Sequence, residues 1–154
     1  MKLITLISLV IFIIKSENTN AQTYDLKSTE YLAIESIKAL QNDSFNDFKK
    51  LSLTLDIYRT QDSTITVQSF DEILISLFEK SKEEFFNENV EINDLRFHHC
   101  DTPYKEYDYN DLTLVRFYAY FELSNGKLIK IKFSDSIKTN VGYKLSEILN
   151  IKDL

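Results

Sequence analysis

A single cysteine, a single proline, two glycines, two histidines and no tryptophan stand in a chain of 154 residues. The lone thiol, Cys100, cannot close an internal disulfide, so stability has to come from a packed core. Gly126 and Gly142 are too few to build a glycine-rich phosphate cradle, which removes P-loop, kinase and dinucleotide-binding readings. No Gly-x-Ser-x-Gly elbow occurs, and His98 and His99 are neighbours, so a serine hydrolase lacks a base placed beside a nucleophile. With Pro103 as the sole proline and no Pro/Gly-rich tract, there is no linker at which to divide the chain. Positive charge is also short: 18 Lys and Arg against 24 Asp and Glu leave a net charge of −6. Neither nucleic acid nor anionic lipid is expected as a main partner, because both are bound by clustered cations that displace counterions.

At the amino end, Lys2 precedes an apolar run from Leu3 to Ile14, and polar residues follow as far as Ala21-Gln22. The run is shorter than the roughly 20 apolar residues of a spanning helix. Thr19 and Ala21 suit signal peptidase, so residues 1–21 are expected to be a signal peptide cut before Gln22. No cysteine lies near that cut, so no lipoprotein anchor is expected. Loss of Lys2, Lys15 and Glu17 makes the mature chain one unit more negative. Residues 22–154 then form a single domain, secreted or periplasmic, with no membrane association after cleavage.

The clearest strand signal is a pair of alternating segments, Leu112 to Leu123 and Leu128 to Phe133, joined through Ser124-Asn125-Gly126-Lys127. A two-residue Asn125-Gly126 turn would set Phe121 opposite Lys130 and Ala119 opposite Lys132, mixing apolar and charged side chains on both faces. A three-residue turn ending at a left-handed Gly126 shifts the pairing to Phe121 with Ile129, Ala119 with Ile131 and Phe117 with Phe133. The second register is expected. It gathers Val115, Phe117, Ala119, Phe121, Ile129, Ile131 and Phe133 on an apolar face and leaves Arg116, Tyr118, Tyr120, Glu122, Lys130 and Lys132 on the other.

Upstream, Tyr31, Ile34, Ile37 and Leu40 recur at near-helical spacing in a helix expected from Asp25 to Gln41. Ser44 and Asp47 resemble a capping pair for a short second helix carrying Phe45, Phe48 and Leu51. The period becomes two from Leu53 to Tyr58, and with polar Gln61-Asp62-Ser63 and then Ile65 to Val67 this predicts a short hairpin. Ser69 and Glu72 predict the cap of a long helix from Phe70 to Asn87. Val90 to His99 reads as a strand with an irregularity at Asn93-Asp94. Asp101 to Asp111 reads as an acidic, tyrosine-rich loop, and Val141 to Ile148 as a segment ending in a last strand.

Helices followed by antiparallel strands predict an α+β fold, with N-terminal helices packed on a curved antiparallel sheet. In element order and length the chain resembles the nuclear-transport-factor-2-like superfamily. That cystatin-like α+β cone also contains ketosteroid isomerases, polyketide cyclases and many non-catalytic binding domains.

Candidate chemistry is sparse. His98-His99-Cys100-Asp101 holds metal-type ligands, but strand neighbours point to opposite faces, so at most two could share an ion and no metal site is expected. With Leu95 and Phe97 inward, His99 is expected to face inward and His98 and Cys100 outward, Cys100 serving as a small apolar residue. The resemblance implies a tyrosine on the first helix and an aspartate base on an early strand. Tyr31 and Asp56 stand in those elements and are the candidates for ligand binding. No catalytic residue and no cofactor is assigned.

Two surfaces suit binding. Tyr104, Tyr107 and Tyr109 in the acidic loop offer large, polar-tipped contacts to a basic partner. The outer hairpin face offers Arg116, Tyr118, Tyr120, Lys130 and Lys132, and the resemblance implies dimerisation through it. The expected function is an exported, non-enzymatic binding or interaction domain for a small apolar ligand or a protein partner, with a homodimer through the outer face. A cofactor-free isomerase or cyclase, or an exported inhibitor or immunity protein, are the alternatives.

Overall fold

Helices precede strands along the chain in the computed structural model, which describes residues 29–140 and 142–152. The expected signal peptide and its expected cut, the helix start expected at Asp25, and Val141 lie outside the described residues. Helix α1 runs over 29–41, followed by α2 (Phe45–Leu51), α3 (Leu55–Gln61), α4 (Val67–Asn87) and a 3-10 turn at Ile92–Asp94. The strands are β1 (Arg96–Cys100), β2 (Lys105–Tyr109), β3 (Leu112–Glu122), β4 (Leu128–Thr139), β5 (Gly142–Lys144) and β6 (Asn150–Lys152). The fold is α+β, with the helices against a curved antiparallel half-barrel.

The long β3–β4 hairpin is the spine. Phe121 faces Ile129, Ala119 faces Ile131 and Phe117 faces Phe133, the register expected from the three-residue turn. Gly126 has φ +82, and the turn is closed by Leu123 N–H on Lys127 O and Gly126 N–H on Leu123 O, both at 2.9 Å. Both edges of the spine are covered by broken strands: β1 and β2 pair with β3, while β5 and β6 pair with β4. Pro103, which has no N–H to give a ladder, stands in the gap between β1 and β2. Opposite Arg116, β4 carries an extra residue, and Asp135 there takes φ +46. A bulge of this kind bends a strand and increases its twist, which curls the sheet around the helices.

The core is aromatic. Phe117 and Phe133 stack at 4.7 Å between centroids, and α4 presents Phe70, Leu74, Phe78, Ser81 and Phe85 inward at three- and four-residue steps. Phe78 meets Phe48 edge-on at 5.3 Å. Leu32 and Ile37 of α1, with Ile131 and Leu149, belong to the same buried cluster.

Four local expectations are corrected. Leu53–Tyr58 and Ile65–Val67 do not form a hairpin: Leu55–Gln61 is the helix α3, and Val67 opens α4. Asp56 in the first turn and Arg59 in the last favour the helix dipole, and Tyr58 meets Phe70 edge-on at 5.4 Å. Six alternating residues are too short a window for period to decide between strand and helix. The cap of α4 is Thr66 rather than Ser69: Ser69 N–H donates to Thr66 Oγ1 at 3.1 Å, and Thr66 N–H donates to Ser69 Oγ at 3.0 Å. Ser69 therefore serves as the third helical residue of the box.

The acidic tyrosine segment contains a strand. Asn110 and Asp111 have φ of 47 and 63, a two-residue primed turn that folds β2 back on β3. Lastly, the carboxy-terminal segment divides into β5 and β6, with Leu145 and Leu149 buried between them.

Candidate interaction face

Residues directly opposite in an antiparallel pair share a face, so the register locates every side chain on the convex side of the sheet. From β3 come Arg116, Tyr118 and Tyr120; from β4, Lys130 and Lys132; from β6, Lys152 opposite Lys130; from β2, Lys105 opposite Arg116. The sequence-predicted set Arg116, Tyr118, Tyr120, Lys130 and Lys132 is brought together here.

β1 adds a residue that parity alone misassigned. The register slips between Phe97 and His99, so His98 is extra and His99 pairs with Tyr120. Both histidines are exposed, while Cys100 turns inward beside the core, opposite Ala119. The expectation that His99 faces inward and Cys100 outward is thus reversed by the bulge. Burial first, and then the Glu30 charge, pushes the Cys100 thiol up to about 12, so it stays a neutral packing group.

The tyrosines are held in place. Tyr120 stacks on His99 at 4.3 Å and 5° between planes, and its hydroxyl donates to Asp101 Oδ2 at 3.1 Å. His99 Nδ1 is 2.6 Å from His98 Nδ1, a bond in which one nitrogen carries the hydrogen and the other accepts. Tyr118 stacks on Tyr104 at 4.8 Å, and the Lys130 ammonium lies 4.2 Å from the Tyr118 ring centroid and 5.8 Å from that of Tyr120. At the β2 end, the Tyr107 hydroxyl donates to Asp135 Oδ1 at 2.6 Å, and Lys105 lies over the Tyr107 ring at 4.7 Å.

Charge on this face is uneven. Arg116 is committed to Asp135, with Nε at 2.6 Å from Oδ1 and Nη2 at 2.9 Å from Oδ2. By contrast, Lys105, Lys130, Lys132 and Lys152 make no ion pair among the described residues. Lys130 and Lys152 even stand directly opposite each other, a like-charge cross-strand pair that costs stability. An acidic chain therefore concentrates unpaired ammonium groups around a rigid tyrosine platform.

The shifts resolved here set the protonation states of this face. Desolvation and the bond to Tyr118 push Tyr104 up to about 12. The bond to Asp135 raises Tyr107, and desolvation followed by the bond to Asp101 raises Tyr120. Arg116 holds the Asp135 carboxyl below the usual range. These four shifts lead away from neutrality, whereas that of Glu147, which bonds to Asp135, leads toward it. The phenols are neutral donors and the aspartate is an occupied acceptor.

Tyr31 and Asp56 lie elsewhere. Tyr31 is 61% exposed on α1, and Asp56 is exposed in the first turn of α3. Neither points into the interior. Tyr104, Tyr107, His99, Lys105, Lys152 and Asp135 complete the outer face without having been singled out for it. The alternation Lys105, Tyr107, Tyr109 carries that signal, although the turn after it, Asn110-Asp111, lacks glycine. No helix of the described residues is long and apolar enough to cross a membrane. Compared with known proteins, the chain matches no family model, no curated protein and no solved structure.

Proposed function

We propose that the chain is an exported, non-enzymatic interaction domain of the nuclear-transport-factor-2-like type, whose outer sheet face recognises an acidic protein partner. One observation carries this reading: Tyr118 and Tyr120 are pre-positioned by Tyr104, His99 and Lys130, beside Lys105, Lys130, Lys132 and Lys152, which make no ion pair among the described residues. Rigid aromatic anchors lose little entropy on binding, and surrounding unpaired cations steer a partner of opposite charge.

A second copy is the next reading, favoured by the exposed Tyr104 beside the half-buried Tyr118 and Tyr120. An isologous contact, however, sets the same patch against itself and crowds Lys130, Lys132 and Lys152 of both copies. A photo-crosslinking residue placed at Glu122, at the rim of the face, tests the idea in the native cell. The expected adduct is with an acidic protein, and it should vanish with Tyr118→Ser/Tyr120→Ser and with Lys130→Glu/Lys132→Glu. An adduct indifferent to both variants would sink the proposal; an adduct with another copy of the chain would convert it to a homodimer interface. Mass spectrometry of the same preparation should show a chain starting at Gln22, and a retained Met1 would end the export reading.

A further inference from the structure

The helical side of the domain carries a second feature of opposite sign. Glu79, Lys82, Glu83 and Phe86 lie three and four residues apart on the side of α4 that turns away from the sheet. They face the chain that leaves the helix, and the two line an open cleft of about 530 Å3 with Val90, Glu91 and Ile92 on its far wall.

The shape of this wall is set by how α4 ends. Asn89 takes φ +54, its N–H donates to Phe86 O at 3.1 Å, and Val90 N–H donates to Phe85 O at 2.9 Å. This is the Schellman arrangement, with asparagine in the left-handed position and Val90 brought back over the helix end. Ile92, in the following 3-10 turn, packs against the core. A firm backbone thus holds one side of the cleft.

Phe86 is 82% exposed, although the neighbouring Phe85 is fully buried. Around it the charge is acidic. Glu83 and Glu91 make no ion pair among the described residues, and Glu79 approaches Lys82 only to 3.9 Å. Lys82 is engaged elsewhere, 2.6 Å from Asp43 and over the Phe78 ring at 5.3 Å. No Lys or Arg stands in the last turn of α4. Carboxylates at a helix carboxy terminus add to the negative end of the dipole, so cations are what this end of the molecule lacks.

We infer that the cleft docks a basic segment of a partner protein, with an apolar side chain covering Phe86 and flanking Lys or Arg residues pairing with Glu79, Glu83 and Glu91. Charge complementarity selects this occupant: anionic lipid and nucleic acid are repelled by the same carboxylates, and a flat surface offers no side chain to enter a cleft. The site is separate in place and in sign from the outer sheet face, so either can fail without the other.

Short probe peptides with a central Leu or Phe, flanked by Lys and Arg, by Ser, or by Asp and Glu, should be titrated against the full chain. The basic set alone is expected to bind. Phe86→Ser should weaken it by tenfold or more, and Glu83→Gln/Glu91→Gln should weaken it while flattening its salt dependence. Thr60→Ala, on the exposed side of α3 and outside the cleft, should change nothing. Binding by none of the sets, binding without preference for basic flanks, or binding that survives Phe86→Ser would overturn the inference. Self-association in sedimentation that both Phe86→Ser and Lys130→Glu abolish would make a second copy the occupant, and would overturn it too.

Discussion

Arg116 on β3 forks onto Asp135, the residue that stands at the bulge of β4 with φ +46. The left-handed region penalises most side chains and is tolerated best by glycine, asparagine and aspartate. One side chain therefore does two things: it accepts a left-handed backbone where β4 bends, and it orients the guanidinium on the outer face. Asp135→Ala should lose both, lowering stability by roughly 1–2 kcal/mol, whereas Asp135→Gly should recover about 1 kcal/mol of that loss by relieving the backbone. Urea midpoints of the two variants check this. Equal losses would mean that the backbone contributes nothing.

Glu147 gives a pH signature of opposite sign to that of Asp135. Desolvation first, and then the Asp135 charge, raises Glu147 above its ordinary 4.5, while Arg116 lowers Asp135 below its ordinary 3.8. The contribution of Asp135 is present above its ordinary value and is lost as pH falls through the depressed one. The contribution of Glu147 is present below its ordinary value and is lost as pH rises through the raised one. Glu147→Gln should match the parent chain below about pH 4 and exceed it above about pH 7. Denaturation at both extremes decides the matter, and a variant less stable at the higher pH would contradict the sign.

Two adjacent phenylalanines should behave as opposites. Phe85 is fully buried and Phe86 is 82% exposed. Phe85→Ala should cost roughly 3–5 kcal/mol, and Phe86→Ala about 0.5 kcal/mol or less. Thermal unfolding of the pair is the measurement. Comparable losses would place Phe86 in the core.

The start of α4 distinguishes two caps. Thr66→Ala removes the acceptor of Ser69 N–H and should cost about 1 kcal/mol. Glu72→Ala removes no cap and should leave the urea midpoint within about 0.5 kcal/mol of the parent. Reversal of that order would return the cap to Ser69.

Legibility followed the range of the forces involved. The β3–β4 register could be read because Gly126 permits one turn geometry and alternation over the following residues rejects the other. α2 was legible from Ser44 and Asp47, and α4 from its apolar stripe. The set Arg116, Tyr118, Tyr120, Lys130 and Lys132 followed from the register alone. Asp135 and Lys152 could not follow, because a bulge and a distant edge strand bring them to the same face.

By itself, then, the sequence determined the acidic balance, the reliance on a core without disulfides, the α+β order and the faces of the central hairpin. These depend on composition and on short-range periodicity. Only the tertiary structure decided that Leu55–Gln61 is helical, that His98 is a bulge exposing His99 and turning Cys100 toward the core, and that Lys105–Tyr109 pairs with β3. In each case the local pattern allowed two conformations of similar free energy. Packing against Phe70, Ala119 or β3 separated them, and those contacts come from residues distant along the chain.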